Sequence, residues 1–130
     1  MKFLITGGAG YIGSILTKDL LDEGHEVVIV DSFIYEQNSL AHICSEKKLK
    51  IIKSDFRDFS NYTKDIKTSD FIVPLAGMVG APMCNRNPHE AESINLKNQI
   101  ELFDKISSEQ YILMPTTNSA YGTSGGEVCD

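Results

Sequence analysis

A glycine-rich turn set between a short run of strand-like residues and a helical pattern constrains this chain more than any other feature. The largely apolar run Lys2 to Ile5 leads into Thr6-Gly7-Gly8-Ala9-Gly10-Tyr11-Ile12-Gly13, where the helical pattern begins. A strand, a tight turn and a helix N-terminus in that order make a phosphate site. Glycine meets three separable needs there: a backbone conformation closed to other residues, close approach of the main chain to a pyrophosphate, and tight packing of helix on strand. The helix adds unpaired N–H groups and the positive end of its dipole, worth roughly 0.3–1 kcal/mol per exposed charge.

Glycine spacing alone also fits an ordinary tight turn. The order of the flanking segments favours dinucleotide binding. The turn lies between a strand and a helix, and a second apolar run, Val27-Val28-Ile29-Val30, follows at βαβ distance. That run ends in Asp31, close to the offset of roughly twenty residues expected of a ribose-binding acid.

Size and composition narrow the class. A chain of 130 residues suits one domain over 1–130. With 42% apolar and 23% charged residues it reads as globular, and no apolar stretch approaches a bilayer-spanning length. Phe3-Leu4-Ile5 is too short for the core of a signal peptide, so a cytoplasmic location is expected. A net charge of −6 with scattered lysines argues against nucleic acid, and no basic amphipathic stretch suggests a membrane surface. Cys44, Cys84 and Cys129 are odd in number and far apart, which fits free thiols better than disulfides or zinc ligands. His42 and Cys44, two apart on an expected helix, face different directions and make a poor metal pair.

Apolar runs alternate with helix-like segments along the chain. The pattern predicts strands at 2–6, 26–30, 49–53, 70–75 and 110–115. Helices are expected at about 11–23, near 37–47, near 60–66 and at about 89–107. Short strands rich in Ile, Val, Leu and Phe are buried on both faces, which calls for a parallel sheet with helices on each side. Right-handed crossovers favour an α/β Rossmann-type sheet of strand order 3-2-1-4-5, with its switch point between the first and fourth strands.

With T-G-G-A-G-Y-I-G at its start, the chain resembles the extended short-chain dehydrogenase/reductases, the family of NAD-dependent nucleotide-sugar epimerases and dehydratases. Later segments sharpen the resemblance. Ser54-Asp55-Phe56-Arg57-Asp58 is similar to the family segment after strand three, where the aspartate binds the adenine amino group and the backbone of the next residue contacts the ring. Leu75-Ala76-Gly77 is similar to the turn after strand four that runs beside the cofactor. Ile94-Asn95-Leu96 resembles the asparagine-containing helix. Pro115-Thr116-Thr117-Asn118-Ser119-Ala120-Tyr121-Gly122 resembles the segment ending in Tyr-Gly that carries the catalytic serine or threonine.

The resemblance implies a cofactor site made of Gly7, Gly10, Tyr11, Ile12, Gly13, Asp31 and Ser32, with Asp55, Phe56, Leu75, Ala76, Gly77 and Asn95. It implies a catalytic hydroxyl on Thr117, four residues before Tyr121, with Thr116 as the neighbour to watch. That hydroxyl would hydrogen-bond the substrate oxygen whose proton moves as hydride passes to or from nicotinamide. Plainer roles fit some of the same residues: a strand-end cap for Asp31, a helix cap for Asp55, a solvated surface site for Asn95 and a turn for Thr117. Phe56, Leu75 and Val79 also fit plain core. Met78, Met83 and Cys84, expected in the loop after strand four, fit either a substrate pocket or filler.

Asp31 is followed by Ser32, Phe33 and Ile34, with no Arg or Lys, so the expected cofactor is NAD. A carboxylate about 4 Å from a 2′-phosphate repels it by roughly 1 kcal/mol in water and 4 at protein-like dielectric, favouring NAD over NADP about tenfold or more.

The resemblance breaks at the acid–base pair. The family places a lysine four residues after a tyrosine, and the cation lowers the phenol's pKa. Here the residues four beyond Tyr11, Tyr35, Tyr62, Tyr111 and Tyr121 are Ile15, Ser39, Ile66, Pro115 and Gly125. The chain therefore reads as the N-terminal part of such an enzyme, inactive alone, with a nucleotide-sugar substrate bound through other parts. A non-catalytic NAD(H)-binding or regulatory module is the alternative, and an S-adenosylmethionine protein fits the glycine spacing less well. Strand 110–115 is expected to leave an exposed apolar edge, consistent with truncation or with a homo-oligomer that hides it.

Overall fold

The two innermost strands are almost wholly apolar because both of their faces are covered. A computed structural model describes residues 1–116 of the chain. In it β1 (Lys2–Thr6) lies between β2 (Glu26–Asp31) and β4 (Phe71–Pro74), with β3 (Leu49–Lys53) and β5 (Tyr111–Ile112) at the edges. All pairs are parallel, and the order is the expected 3-2-1-4-5. Ile5 sits in register with Ile29 on one side and Val73 on the other.

Alternation along the strands divides the apolar residues between two cores. Phe3, Ile5, Val27 and Ile29 face one way, where Leu20 of α1 (Tyr11–Asp22) and the loop residues Leu40 and Ile43 meet them. Leu4, Val28, Val30 and Ile72 face the other. There they pack on Ile66 of α2 (Thr63–Thr68) and Leu102 of α5 (Asn98–Asp104). Leu102 has no exposed surface, so its burial contributes about 1.5–3 kcal/mol. α1 ends where Gly24 turns left-handed at φ 83°, and the Gly24 and His25 N–H groups close onto the Leu21 and Leu20 carbonyls.

Three elements depart from the sequence pattern. The helix expected near 37–47 does not form. The N–H groups of Ala41, Ile43, Glu46 and Leu49 each bond the carbonyl three residues back, giving successive turns. Only Leu40 and Ile43 of the segment enter the core, an anchor satisfied by one turn and too short to require a helix. One flank of the sheet is thus covered by turns, not by a helix.

The helix expected at 89–107 is segmented. It comprises α4 (Pro88–Glu92), a π turn (Ser93–Lys97) and α5, and a separate short helix α3 (Ala81–Arg86) precedes it. The π turn has a local cause. Asn98 sends its backbone N–H to the Ser93 carbonyl, five residues back, and its side-chain amide to the same oxygen at 2.9 Å. Met83 and Cys84, expected in a loop, therefore lie on α3.

The fifth strand is two residues long, not six, although the Leu113 N–H still reaches the Ile72 carbonyl at 2.9 Å. It pairs on one side only. Tyr111 to Met114 remain between 43% and 65% exposed, so the expected apolar edge is present.

Candidate functional site

The glycine turn is fixed from both sides at the C-terminal ends of the central strands. The Gly7 N–H donates to the Val30 carbonyl at 2.8 Å, and the Leu75 N–H to the Thr6 carbonyl at 2.9 Å. Gly7 itself has φ 70°, and a Cβ there would stand 2.7 Å from the Ala76 nitrogen. No other residue fits that position. Gly13 answers a different need, because its Cβ would lie 2.7 Å from the Gly7 carbonyl oxygen and from the Gly8 Cα. Helix α1 can sit on the turn only without that carbon.

Gly10 is different again. Its φ of −72° is open to any residue, and a Cβ would meet only the Gly7 oxygen, at 3.1 Å. Gly10 lines a cavity of about 330 Å³. Gly10 caps α1 with no side-chain hydrogen bond, and no acidic residue occupies the first turn. The first backbone bond runs from Ser14 N–H to the Gly10 carbonyl, which leaves the Tyr11, Ile12 and Gly13 amides ahead of the helical ladder.

The cavity brings together segments far apart in sequence. Gly7, Gly10, Asp31 and Ser32 line one part, while Asp55 and Phe56 face them from the end of β3. Leu75, Ala76 and Gly77 complete the wall from the end of β4. Of the other expected residues, Tyr11, Ile12, Gly13, Asn95 and Thr116 do not line it. Thr116 is exposed beyond β5, and Thr117 lies outside the described residues.

Asp31 is buried to 8% exposure. Its Oδ2 accepts the Ala9 N–H at 3.0 Å and its Oδ1 the Phe33 N–H at 2.8 Å. The carboxylate thus braces the glycine turn and also turns the chain after β2, and each oxygen keeps further acceptor capacity toward the cavity. Asp55 repeats the same i to i+2 turn, accepting the Arg57 N–H at 2.9 Å. The Arg57 guanidinium grips the same carboxylate, and this hydrogen bonding holds Asp55 below the usual carboxylate range. The pairing with Asp55 and Glu90 in turn raises the arginine's own pKa.

Asn95 is exposed but not idle. Its Oδ1 accepts the Met78 N–H and its Nδ2 donates to the Met78 carbonyl, both at 2.8 Å, so the π turn holds the loop after β4. Gln99 does the same one turn further on, donating to the Ala76 carbonyl at 2.8 Å.

Several cavity residues were absent from the sequence expectation: Ile34, Tyr35, Gln37, Arg57 and Glu90, whereas Met78, one of the loop residues expected to suit a pocket, does line it. Gln37 lies in a loop with left-handed residues on either side of Tyr35, at Phe33 and Glu36. Its Oε1 is buried without a partner among the described residues. The Asp-x-Arg spacing at Asp55 was a usable signal for Arg57, whereas nothing in the sequence marked Gln37. Among the described residues no group of His, Cys, Asp and Glu is arranged to hold a metal ion.

Parallel strands in the order 3-2-1-4-5, with a glycine turn and a cavity beside the switch point, define a Rossmann-type α/β protein. The chain belongs to the NAD dependent epimerase/dehydratase family, whose profile matches residues 3–129. A UDP-N-acetyl-alpha-D-glucosaminuronate decarboxylase of Bacillus cytotoxicus is 28% identical over 122 residues, covering 93% of this chain and 38% of that protein. A UDP-glucose 4-epimerase of Klebsiella pneumoniae is 29% identical over 129 residues, 94% of this chain and 93% of that sequence. The crystal structure of UDP-glucose-4-epimerase from Stenotrophomonas maltophila, with bound NAD and formylated UDP-arabinopyranose, superposes with a TM-score of 0.83 at 25% identity. That match covers 96% of this chain and 39% of that one. The chain therefore spans about two fifths of the length of the decarboxylase and of the crystallised epimerase.

Proposed function

We propose that this chain is the NAD-binding portion of a nucleotide-sugar epimerase, dehydratase or reductase that acts by hydride transfer at a sugar carbon. The observation that carries the reading is the place of Gly10 in the cavity wall. A backbone position with an ordinary φ, whose Cβ would meet only the Gly7 oxygen at 3.1 Å, lines a cavity beside three helix N–H groups without ladder partners. A diphosphate approaching there replaces lost water contacts with main-chain donors and meets the positive end of α1.

The remaining assignments follow from donors and acceptors. Asp31, with Ser32 beside it, offers acceptors to the ribose hydroxyls and repels a 2′-phosphate. Asp55 offers an acceptor to the adenine amino group, and Phe56 supplies an apolar wall. Leu75, Ala76 and Gly77 form the face along which the nicotinamide half lies, held in place by Asn95 and Gln99 from behind. Gln37 Oε1 gains a donor when a polyhydroxylated ligand enters. NAD, when bound, supplies a reversible acceptor for hydride from the sugar. Thr117, with Thr116 beside it, is the hydroxyl that hydrogen-bonds the reacting substrate oxygen.

A second reading, a non-catalytic NAD(H) module, draws on the lack of a tyrosine with lysine four residues later in these 130 residues. Titration calorimetry of the full chain with NAD, NADP and S-adenosylmethionine tests the binding claim; tenfold or greater preference for NAD is expected. Absence of NAD binding at millimolar ligand refutes both readings. An open frame beyond codon 130 that continues into a tyrosine–lysine pair favours the enzyme over the module. The exposed β5 edge supports self-association through 110–115, which light scattering on dilute protein checks.

A further inference from the structure

Arg57 joins two walls of the cavity that arise from different crossovers. On one side its Nε lies 2.9 and 3.0 Å from the two Asp55 oxygens, and its Nη2 lies 2.5 Å from Oδ2. On the other, Nη2 stands 2.9 Å from Glu90 Oε1 on α4, and Nη1 donates to Ser93 Oγ on the π turn at 3.3 Å. Asp55 and Phe56 follow β3, whereas Glu90 and Ile94 follow β4, and all four line the cavity. Among the described residues, no side-chain hydrogen bond or ion pair made by any other residue links segment 54–58 to segment 88–97.

We infer that Arg57 is a positioning residue for the adenine end of the coenzyme, fixing the Asp55 carboxylate in one orientation and holding the α4 wall against it. The inference rests on the NAD-binding reading. A planar guanidinium suits this task because its fork engages one carboxylate edge-on while a free edge reaches a second. An ammonium group is a point charge without that directionality. The arginine is also committed: two carboxylates flank it, so it does not serve as a free cation for a 2′-phosphate in the cavity that Asp31 shares.

The test titrates the full chain with NAD and with nicotinamide hypoxanthine dinucleotide, in which an oxo group replaces the adenine amino group. The wild-type chain is expected to prefer NAD, because a carboxylate accepts from an amino group and repels a carbonyl. Arg57→Lys frees Asp55 to swing and loosens the α4 wall, so NAD affinity falls about tenfold or more while the hypoxanthine form loses only about threefold, and the preference narrows. Glu90→Gln leaves the Asp55 pair intact but loosens the α4 wall, weakening both dinucleotides alike by roughly threefold. Glu90 is half exposed, so this variant carries the test should Arg57→Lys fold poorly. In Arg57→Lys, a lower melting temperature with both affinities reduced equally and the preference intact marks a purely structural role and overturns the inference, as does unchanged affinity in Glu90→Gln. A wild-type chain that binds neither dinucleotide refutes the coenzyme reading itself.

Discussion

Replacing Gly10 and Gly7 separately by alanine separates binding from folding, because the two glycines serve different physical needs. At Gly7 an alanine must hold a φ of 70°, and its Cβ falls 2.7–2.9 Å from three backbone atoms of Leu75 and Ala76. Left-handed strain contributes about 1–2 kcal/mol and overpacking about 1–3 kcal/mol. The sum, about 2–5 kcal/mol, is a large share of the ~5–15 kcal/mol that holds a domain together. Gly7→Ala should therefore unfold at much lower denaturant. At Gly10 the backbone is unstrained and the sole contact, the Gly7 oxygen at 3.1 Å, must give by a few tenths of an ångström. That small cost is offset by the ~0.4–1 kcal/mol gained from a less flexible unfolded chain, so stability should change by less than about 1 kcal/mol.

Binding should respond in the opposite order. Gly10 lines the cavity, so a methyl there should crowd a diphosphate away from the Tyr11 and Ile12 amides. Two charge-assisted hydrogen bonds at ~1.5–3 kcal/mol each amount to about 3–6 kcal/mol, or roughly 10²- to 10⁴-fold in affinity. Urea denaturation and NAD calorimetry on the same preparations measure both quantities. A Gly10→Ala chain that folds normally and binds NAD as tightly as the wild type refutes this placement of the diphosphate.

Three further outcomes are expected. Asp31→Ala should lower the NAD to NADP affinity ratio about tenfold, measured by calorimetry on protein shown to be folded, since two backbone N–H groups lose their acceptor; an unchanged ratio removes Asp31 from cofactor selection. Asn95→Ala deletes both bonds to Met78, worth about 1–3 kcal/mol, so the Met78 amide should exchange hydrogen roughly ten times faster or more in native-state exchange; unaltered protection contradicts the anchoring role. Burial pushes Asp65 up, but hydrogen bonds from Lys50 and Lys2 outweigh it and hold the carboxyl below its ordinary value of 3.8. The folded state then releases this proton more readily than the unfolded chain, so the pairing stabilises above pH 3.8 and is lost as pH falls through the lower folded value. Asp65→Asn should flatten that acid limb of stability and lower stability at pH 7 by about 1.5–3 kcal/mol, the worth of a hydrogen bond to a charged group.

The central sheet was legible because burial on both faces demands unbroken apolar runs, as in Val27 to Val30, and few other structures do. The glycine turn was legible for a related reason: its geometry excludes side chains, so residue type reports backbone shape. What escaped was determined by distant partners. Leu40 and Ile43, three apart, match a helical face equally well whether one turn or three follow. The π turn depends on Asn98 reaching back to Ser93, a choice that helical periodicity does not encode. Arg57 was visible as a charge beside Asp55, but its contact with Ser93 spans 36 residues. Asn95 was assigned to the cofactor by resemblance, and the hydrogen bonds the structure gives it are with the Met78 backbone, 17 residues away, which spacing alone does not encode.

The central claim is that the main-chain amides opening α1 hold the diphosphate of NAD. Titration of the isotopically labelled 14.4 kDa chain with NAD, followed by amide resonances in nuclear magnetic resonance, tests it directly. The Tyr11, Ile12 and Gly13 amides should shift most, saturating together with the signals of Asp31 and Asp55. Shifts confined to other segments, or none at millimolar NAD with a folded chain, contradict it.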